Sequence, residues 1–225
     1  PIIEGAALAI DNRTGQIRAM TGGFSFARSK FNRATQAQRQ VGSLFKPILY
    51  TAAIDRGYTA TSMFLDEKVS FPAGPNQPPY EPENYDKKYE GMITLRRALE
   101  DSRNIPAVKA MAEIGPAEVI PYARRFGLRG KYDPYLSLAL GAGESTLLDM
   151  TSAYTVFPNQ GVRMEPFAVT TITDRDGNLR EENRPQPHEA IRADTAFIMT
   201  NLLRGVVLHG TAEAAASLNW PLAGK

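Results

Sequence analysis

Apolar residues fall in short runs at the two ends of this chain and recur at four-residue spacing through its middle. Gly5–Ile10 and Gln16–Met20 are two apolar runs around Asp11–Gly15, a polar loop ending in glycine, and this predicts a β-hairpin closed by Gly22-Gly23. Residues 25–40 are polar and basic without a period, which predicts a loop with room for one short helix. From Ser43 the pattern turns helical: Leu44, Ile48, Ala52 and Phe45, Leu49, Ala53 share a face, and Gly57 marks the stop. Pro47 fits such a helix only near its start, where a missing N–H costs little. Residues 71–90 carry Pro72, Pro75, Pro78, Pro79 and Pro82 and predict an irregular loop. Helical patterns return at 94–100, 105–114, 116–126 and 146–157. A second hairpin is predicted around Asp174-Arg175-Asp176-Gly177, and a last helix runs from Asp194 or Thr195 to Leu208. No internal repeat is visible, and the reading is α-rich with strands at the front and after residue 165.

Composition narrows the chemistry. A chain of 225 residues with 43% hydrophobic content can bury a core. Its 26 basic and 24 acidic residues nearly balance, so no nucleic-acid partner and no anionic membrane surface is indicated by charge. No run approaches the ~20 apolar residues that span a bilayer, and Pro1 begins no signal peptide. The absence of cysteine excludes disulfides, thiolate metal sites and a cysteine nucleophile. His188 and His209 are the only histidines and stand far apart, as surface or helix-end residues would. Neither a metal site nor a Ser-His-Asp triad is expected, and no cofactor is implied. A serine enzyme built from this chain needs a lysine base.

Gly42-Ser43-Leu44-Phe45-Lys46 contains Ser-x-x-Lys. A serine hydroxyl needs a base within hydrogen-bond reach, and positions i and i+3 of a helix share a face. The lysine must be neutral, which burial or a neighbouring cation achieves. Ser43 at a helix N-terminus also offers its own N–H to a developing oxyanion. Asp101-Ser102-Arg103-Asn104 supplies Ser-x-Asn 59 residues later, in a turn leading into the helix at Ile105. Ala223-Gly224-Lys225 has the look of the opening of a Lys-Thr-Gly strand. Each motif alone is weak. Ser217-Leu218-Asn219 is a second Ser-x-Asn, but it sits in a connector, where ordinary turn preference accounts for it. In combination and in this order the three motifs mark the penicillin-recognising serine acyltransferases.

The longer runs point the same way. Residues 30–43 leading to Ser43, Tyr80-Glu81-Pro82-Glu83-Asn84-Tyr85, Tyr89-Glu90-Gly91, Thr94–Leu99, Ser137–Gly141 and Asp149–Tyr154 resemble the transpeptidase domain of class A (bifunctional) penicillin-binding proteins over nearly the whole chain. The resemblance implies an α/β fold of the penicillin-binding-protein and serine β-lactamase type. In it, residues 1–60 and about 165–225 belong mainly to a sheet lobe and about 61–164 mainly to a helical lobe, with the site in the cleft between them. It implies a D,D-transpeptidase that cross-links peptidoglycan stem peptides ending in D-Ala-D-Ala and is trapped by β-lactam antibiotics.

By position, the resemblance makes Ser43 the acylated nucleophile and Lys46 its base. Ser102 becomes the proton relay to the leaving amine and Asn104 the holder of the substrate amide and of Lys46. Lys225 becomes the cation near the substrate carboxylate. Arg103 fills the variable position, where a solvated or salt-bridged side chain is expected. It also implies work at the outer face of the bacterial cytoplasmic membrane, with an anchor elsewhere in the protein, and further strands after Lys225 that carry a second oxyanion donor and complete the sheet of the first hairpin. A second polypeptide segment is therefore expected to complete the domain. Two other readings share the fold: a catalytically silent scaffold, and a serine β-lactamase with Glu144 as the deacylating carboxylate.

Overall fold

The computed structural model describes residues 3–72 and 77–225, so Pro1 and Pro75 lie outside the described residues. In chain order the regular elements begin with strands β1 (Ala7–Ile10), β2 (Ile17–Thr21) and β3 (Arg39–Gln40), helix α1 (Lys46–Asp55), and strands β4 (Met63–Asp66) and β5 (Gly91–Thr94). Helices α2 (Leu95–Glu100), α3 (Asn104–Ile114) and α4 (Pro116–Arg125) follow, then β6 (Glu144–Ser145), α5 (Leu147–Tyr154) and β7 (Val162–Met164). The chain goes on through β8 (Thr171–Thr173), β9 (Leu179–Glu182) and β10 (Pro187–Glu189) to α6 (Ala193–His209). The fold is α/β. Its strands pair two by two and antiparallel: β1 with β2, β3 with β6, β4 with β5, β7 with β10, and β8 with β9.

Both expected hairpins and all the expected helices are present, with boundary shifts of a few residues. The 25–40 segment is turns without a helix and ends in β3. The pair β4–β5 brackets the proline-rich loop and was not expected, because Met63–Asp66 is too short to show alternation. Its burial does alternate, with Phe64 and Asp66 inward and Met63 and Leu65 outward.

Contacts divide the chain into two compact units. One comprises residues up to 40, 123–131 and 144–196. Its core gathers Phe126, Met150, Ala153, Val156, Phe157 and Met164, with the rings of Phe126 and Phe157 5.4 Å apart. Glu144 belongs here, exposed on β6 and paired with Gln40. The other unit comprises 41–122, 132–143 and 197–225. Here α1 is buried along nine of its ten residues and packs on α3. Around them lie Phe45, Ile48, Leu49, Leu95, Leu99, Ile105, Met111 and Leu138, all at most 2% exposed. The apolar faces of α1 and α3 bury each other and keep residues 43–57 with residues 61–122 in this unit.

Candidate active site

Ser43 stands in a 3-10 turn, Gly42–Phe45, that leads directly into α1. The turn is set by a close backbone approach. Gly42 donates to the Gly141 carbonyl at 3.2 Å and Val41 to that of Gly143 at 3.1 Å. A Cβ on Gly141 (φ +73°) would lie 2.0 Å from the Gly42 oxygen, so that position admits no side chain, while Gly42 takes the left-handed backbone (φ +56°) that glycine adopts at least cost. Lys46, one turn on, is 0% exposed.

Ser102 sits at the end of α2, where its N–H bonds to Leu99 and the Arg103 N–H to Ala98. That pair of bonds is a Schellman closure, and Ser102 takes the left-handed position that glycine normally fills, at φ +58°. Serine there carries strain of about 1–2 kcal/mol. The strain is accepted where the side chain serves, since the turn aims both the Ser102 hydroxyl and its carbonyl at Lys46.

Lys46 Nζ lies 2.5 Å from the Ser102 carbonyl oxygen, 2.7 Å from Asn104 Oδ1 and 3.3 Å from Ser102 Oγ. Ser102 Oγ in turn donates to Ser43 Oγ at 3.1 Å. The expected meeting of Ser43 and Lys46 one turn apart is thus bridged by Ser102. Two of the three partners of Lys46, a carbonyl and an amide oxygen, can only accept. A neutral amine satisfies both with its two hydrogens and leaves its lone pair toward Ser102 Oγ, whose single hydrogen points to Ser43 Oγ in the resting site and must turn to Lys46 Nζ for a proton to pass. Burial lowers the Lys46 pKa to about 7, helped by the charges of Lys225 and Arg103. The neutral amine that a base requires is therefore well populated near neutrality.

Lys225 Nζ approaches Thr211 Oγ1 at 3.4 Å. Burial lowers its pKa to about 8 against the opposing pull of Asp101. Asp101 pairs with Arg97 at 2.5 Å, yet burial holds its carboxyl above the usual carboxylate range. Ser43, Ser102, Asn104 and Lys225 line one open cavity of about 470 Å³ together with Val41, Leu44, Tyr85, Asp101 and Thr211. All of these lie within the second unit.

Arg103 is buried at 6% exposure. It bonds Asp66 through Nε and its terminal nitrogen, both at 2.9 Å, and pairs with Asp86 at 3.0 Å. Of its two expected fates, the salt bridge is the one observed. Ser217 and Asn219 lie exposed at the 3-10 turn Glu213–Leu218, where the Ser217 hydroxyl bonds the Ala214 carbonyl. His188 pairs with Glu165 at the surface and His209 ends α6. Among the described residues no cluster of three or more metal-ligating side chains occurs, and no helix is long and apolar enough to cross a membrane.

Sequence reasoning missed Tyr85, Asp101 and Thr211 as cavity residues. Tyr85 and Asp101 lie inside or beside motifs already noted. Thr211 carries no local signal and arrives only because its N–H bonds the Glu100 carbonyl at 3.0 Å.

A serine, a lysine, a second serine and an asparagine thus meet on an α/β scaffold, the arrangement expected of the penicillin-recognising class. Residues 5–225 match the model of the penicillin binding protein transpeptidase domain, and the chain belongs to that family. It is 42% identical, over 97% of its length, to penicillin-binding protein 1A of Neisseria meningitidis, and spans 28% of that relative. It is 40% identical to penicillin-binding protein 1A of Aquifex aeolicus over all of the chain and 31% of the relative. The crystal structure of penicillin-binding protein 1A from Haemophilus influenzae superimposes with a TM-score of 0.90 at 30% identity, covering 95% of this chain and 38% of that one.

Proposed function

We propose that this chain carries the acylation site of a peptidoglycan D,D-transpeptidase, with Ser43 as nucleophile. The observation that carries the reading is the Lys46 amine, fully buried, lowered toward neutrality and joined to Ser43 through the Ser102 hydroxyl. Family membership supports it, and because the chain spans under a third of its curated relatives, the activity of the whole protein is part of the proposal.

In the first half-reaction Ser43 Oγ attacks the carbonyl of the penultimate D-alanine of a stem peptide. Its proton moves to Ser102 Oγ as the Ser102 proton moves to Lys46 Nζ. The Ser43 N–H, in the turn before α1, donates to the oxyanion. The C–N bond breaks, the leaving D-alanine amine takes its proton back through Ser102, and an ester remains on Ser43. Lys225, charged below about pH 8, holds the substrate carboxylate. Asn104 holds the substrate amide and Lys46 together. In the second half-reaction an amine from a neighbouring strand attacks the ester, forming the cross-link and freeing Ser43. A β-lactam follows the first half only, because its opened ring stays attached. The matching place of work is the outer face of the cytoplasmic membrane.

Incubation of the native protein with benzylpenicillin, then digestion and peptide mass mapping, is expected to place one penicilloyl group on the peptide containing Ser43. An unmodified Ser43 peptide, or an adduct elsewhere, would sink the reading.

The strained turn makes a second expectation. Ser102→Gly relieves the left-handed serine, so the denaturant midpoint should stay level or rise by the equivalent of up to about 1 kcal/mol. Acylation should fall by about 10²-fold with the relay hydroxyl gone. Unchanged acylation by this variant would remove Ser102 from the proton path.

A further inference from the structure

Asn84 lies in the proline-rich loop, is 3% exposed, and is not among the residues that line the cavity. Its side chain uses its full hydrogen-bonding capacity. Nδ2 donates to Asp66 Oδ1 at 2.7 Å and to the Lys88 carbonyl at 2.8 Å. Oδ1 accepts the backbone N–H of Asn104 at 2.8 Å and of Ile105 at 3.3 Å. Those are the first two N–H groups of α3, and α3 has no cap from its own preceding residue, Arg103. The cap that helices draw from a neighbouring Ser, Thr, Asp or Asn comes here from twenty residues away. The preceding residue completes the grip: the Glu83 carbonyl accepts from Asn104 Nδ2 at 2.8 Å. With Nδ2 held, Asn104 Oδ1 is left pointing at Lys46 Nζ, 2.7 Å away.

We propose that Asn84 is a positioning residue for acyl transfer, acting through Asn104. It locks the start of α3 and with it the orientation of the Asn104 amide, so that the oxygen faces Lys46. Only an amide fits the place. Aspartate would lose both donors and set a second carboxylate against Asp66, and glutamine is a methylene too long for a site with this little space. The buried Asp66–Arg103 pair is the platform on which Asn84 rests, and Arg103 itself belongs to the Ser-x-Asn turn. Loop and turn thus hold each other from both sides.

This inference rests on the acyl-transfer reading, and a mutant cycle separates the two. The second-order rate of acylation by benzylpenicillin is measured on the native protein and on the Asn84→Ala, Asn104→Ala and doubly substituted variants, with the thermal midpoint of each. The expected result is a loss of about 100-fold for Asn84→Ala, the cost of a misplacement of about 1 Å. The double variant should acylate no more slowly than Asn104→Ala alone, because residues acting through one another are not additive. A general loss of stability would lower the midpoint without producing that equality. Acylation of Asn84→Ala at the native rate would overturn the inference, as would a double variant about 100-fold slower than Asn104→Ala. If the alanine variant does not fold, the same comparison on Asn84→Ser decides it, since a hydroxyl cannot reach Asp66 and both helix N–H groups together. Failure of the native protein itself to be acylated would instead sink the acyl-transfer reading.

Discussion

Lys46→Met is expected to slow acylation of Ser43 by about 10³-fold, within the range assigned to a positioned proton acceptor. Methionine keeps most of the volume in a fully buried position, so the core around α1 should close over it with little change. It cannot accept the proton that leaves Ser43 by way of Ser102. The pH profile gives the independent readout. In the native protein acylation should rise with pH as the Lys46 ammonium, with its pKa of about 7, gives up its proton. It should fall again above about pH 8, as Lys225 loses the charge that holds the substrate carboxylate. The sign follows from the proposed roles, in which Lys46 works deprotonated and Lys225 works protonated, and the optimum is expected between the two values. In Lys46→Met the acid limb should vanish while the alkaline limb remains. Stopped-flow acylation with a chromogenic cephalosporin from pH 5 to 9 measures both. A variant within tenfold of native, or a native profile flat through pH 7, would exclude Lys46 as the base.

The second large effect is on stability. Asp66→Ala is expected to destabilise the protein by about 3 kcal/mol, at the lower end of the cost of breaking a buried ion pair from one side. Asp66 is 0% exposed and accepts from Arg103, from Asn84 Nδ2 and from the Glu90 N–H at 3.1 Å. Alanine leaves all three donors facing a void. The lower end applies because Arg103 keeps Asp86 at 3.0 Å and Glu90 at 3.5 Å. In urea the midpoint should fall with an unchanged slope, and acylation should fall with it because Asn84 loses its anchor. A shift worth under about 1 kcal/mol would mean that Asp86 and Glu90 alone suffice for Arg103.

Asp66 and Asn84 also show where reading the chain stops. Asp66 ends a four-residue strand and Asn84 sits in a loop rich in proline. Neither position carries a period, a cap pattern or a catalytic spacing. Their importance comes from being brought together across 18 residues and against a turn 20 residues further on, which no local pattern encodes. Tyr85 stands in a run of resemblance without a chemical signal of its own, yet its ring is fully exposed at the cavity between the anchored Asn84 and the Arg103-paired Asp86.

The sequence by itself determined the helix that opens at Lys46 just after Ser43, since four-residue apolar spacing and a proline at its start have few other solutions. It also determined the chemical cast, because without cysteine and with two isolated histidines the only base at a useful spacing from a serine was a lysine. Only the tertiary structure decided how that lysine is buried, partnered and lowered toward neutrality. The cations Lys225 and Arg103 and the three oxygens around Nζ come from segments 56 to 179 positions away in the chain. Local patterning reports on the neighbours of a residue along one element, whereas a pKa and a hydrogen-bond geometry depend on whatever the fold places within a few ångströms.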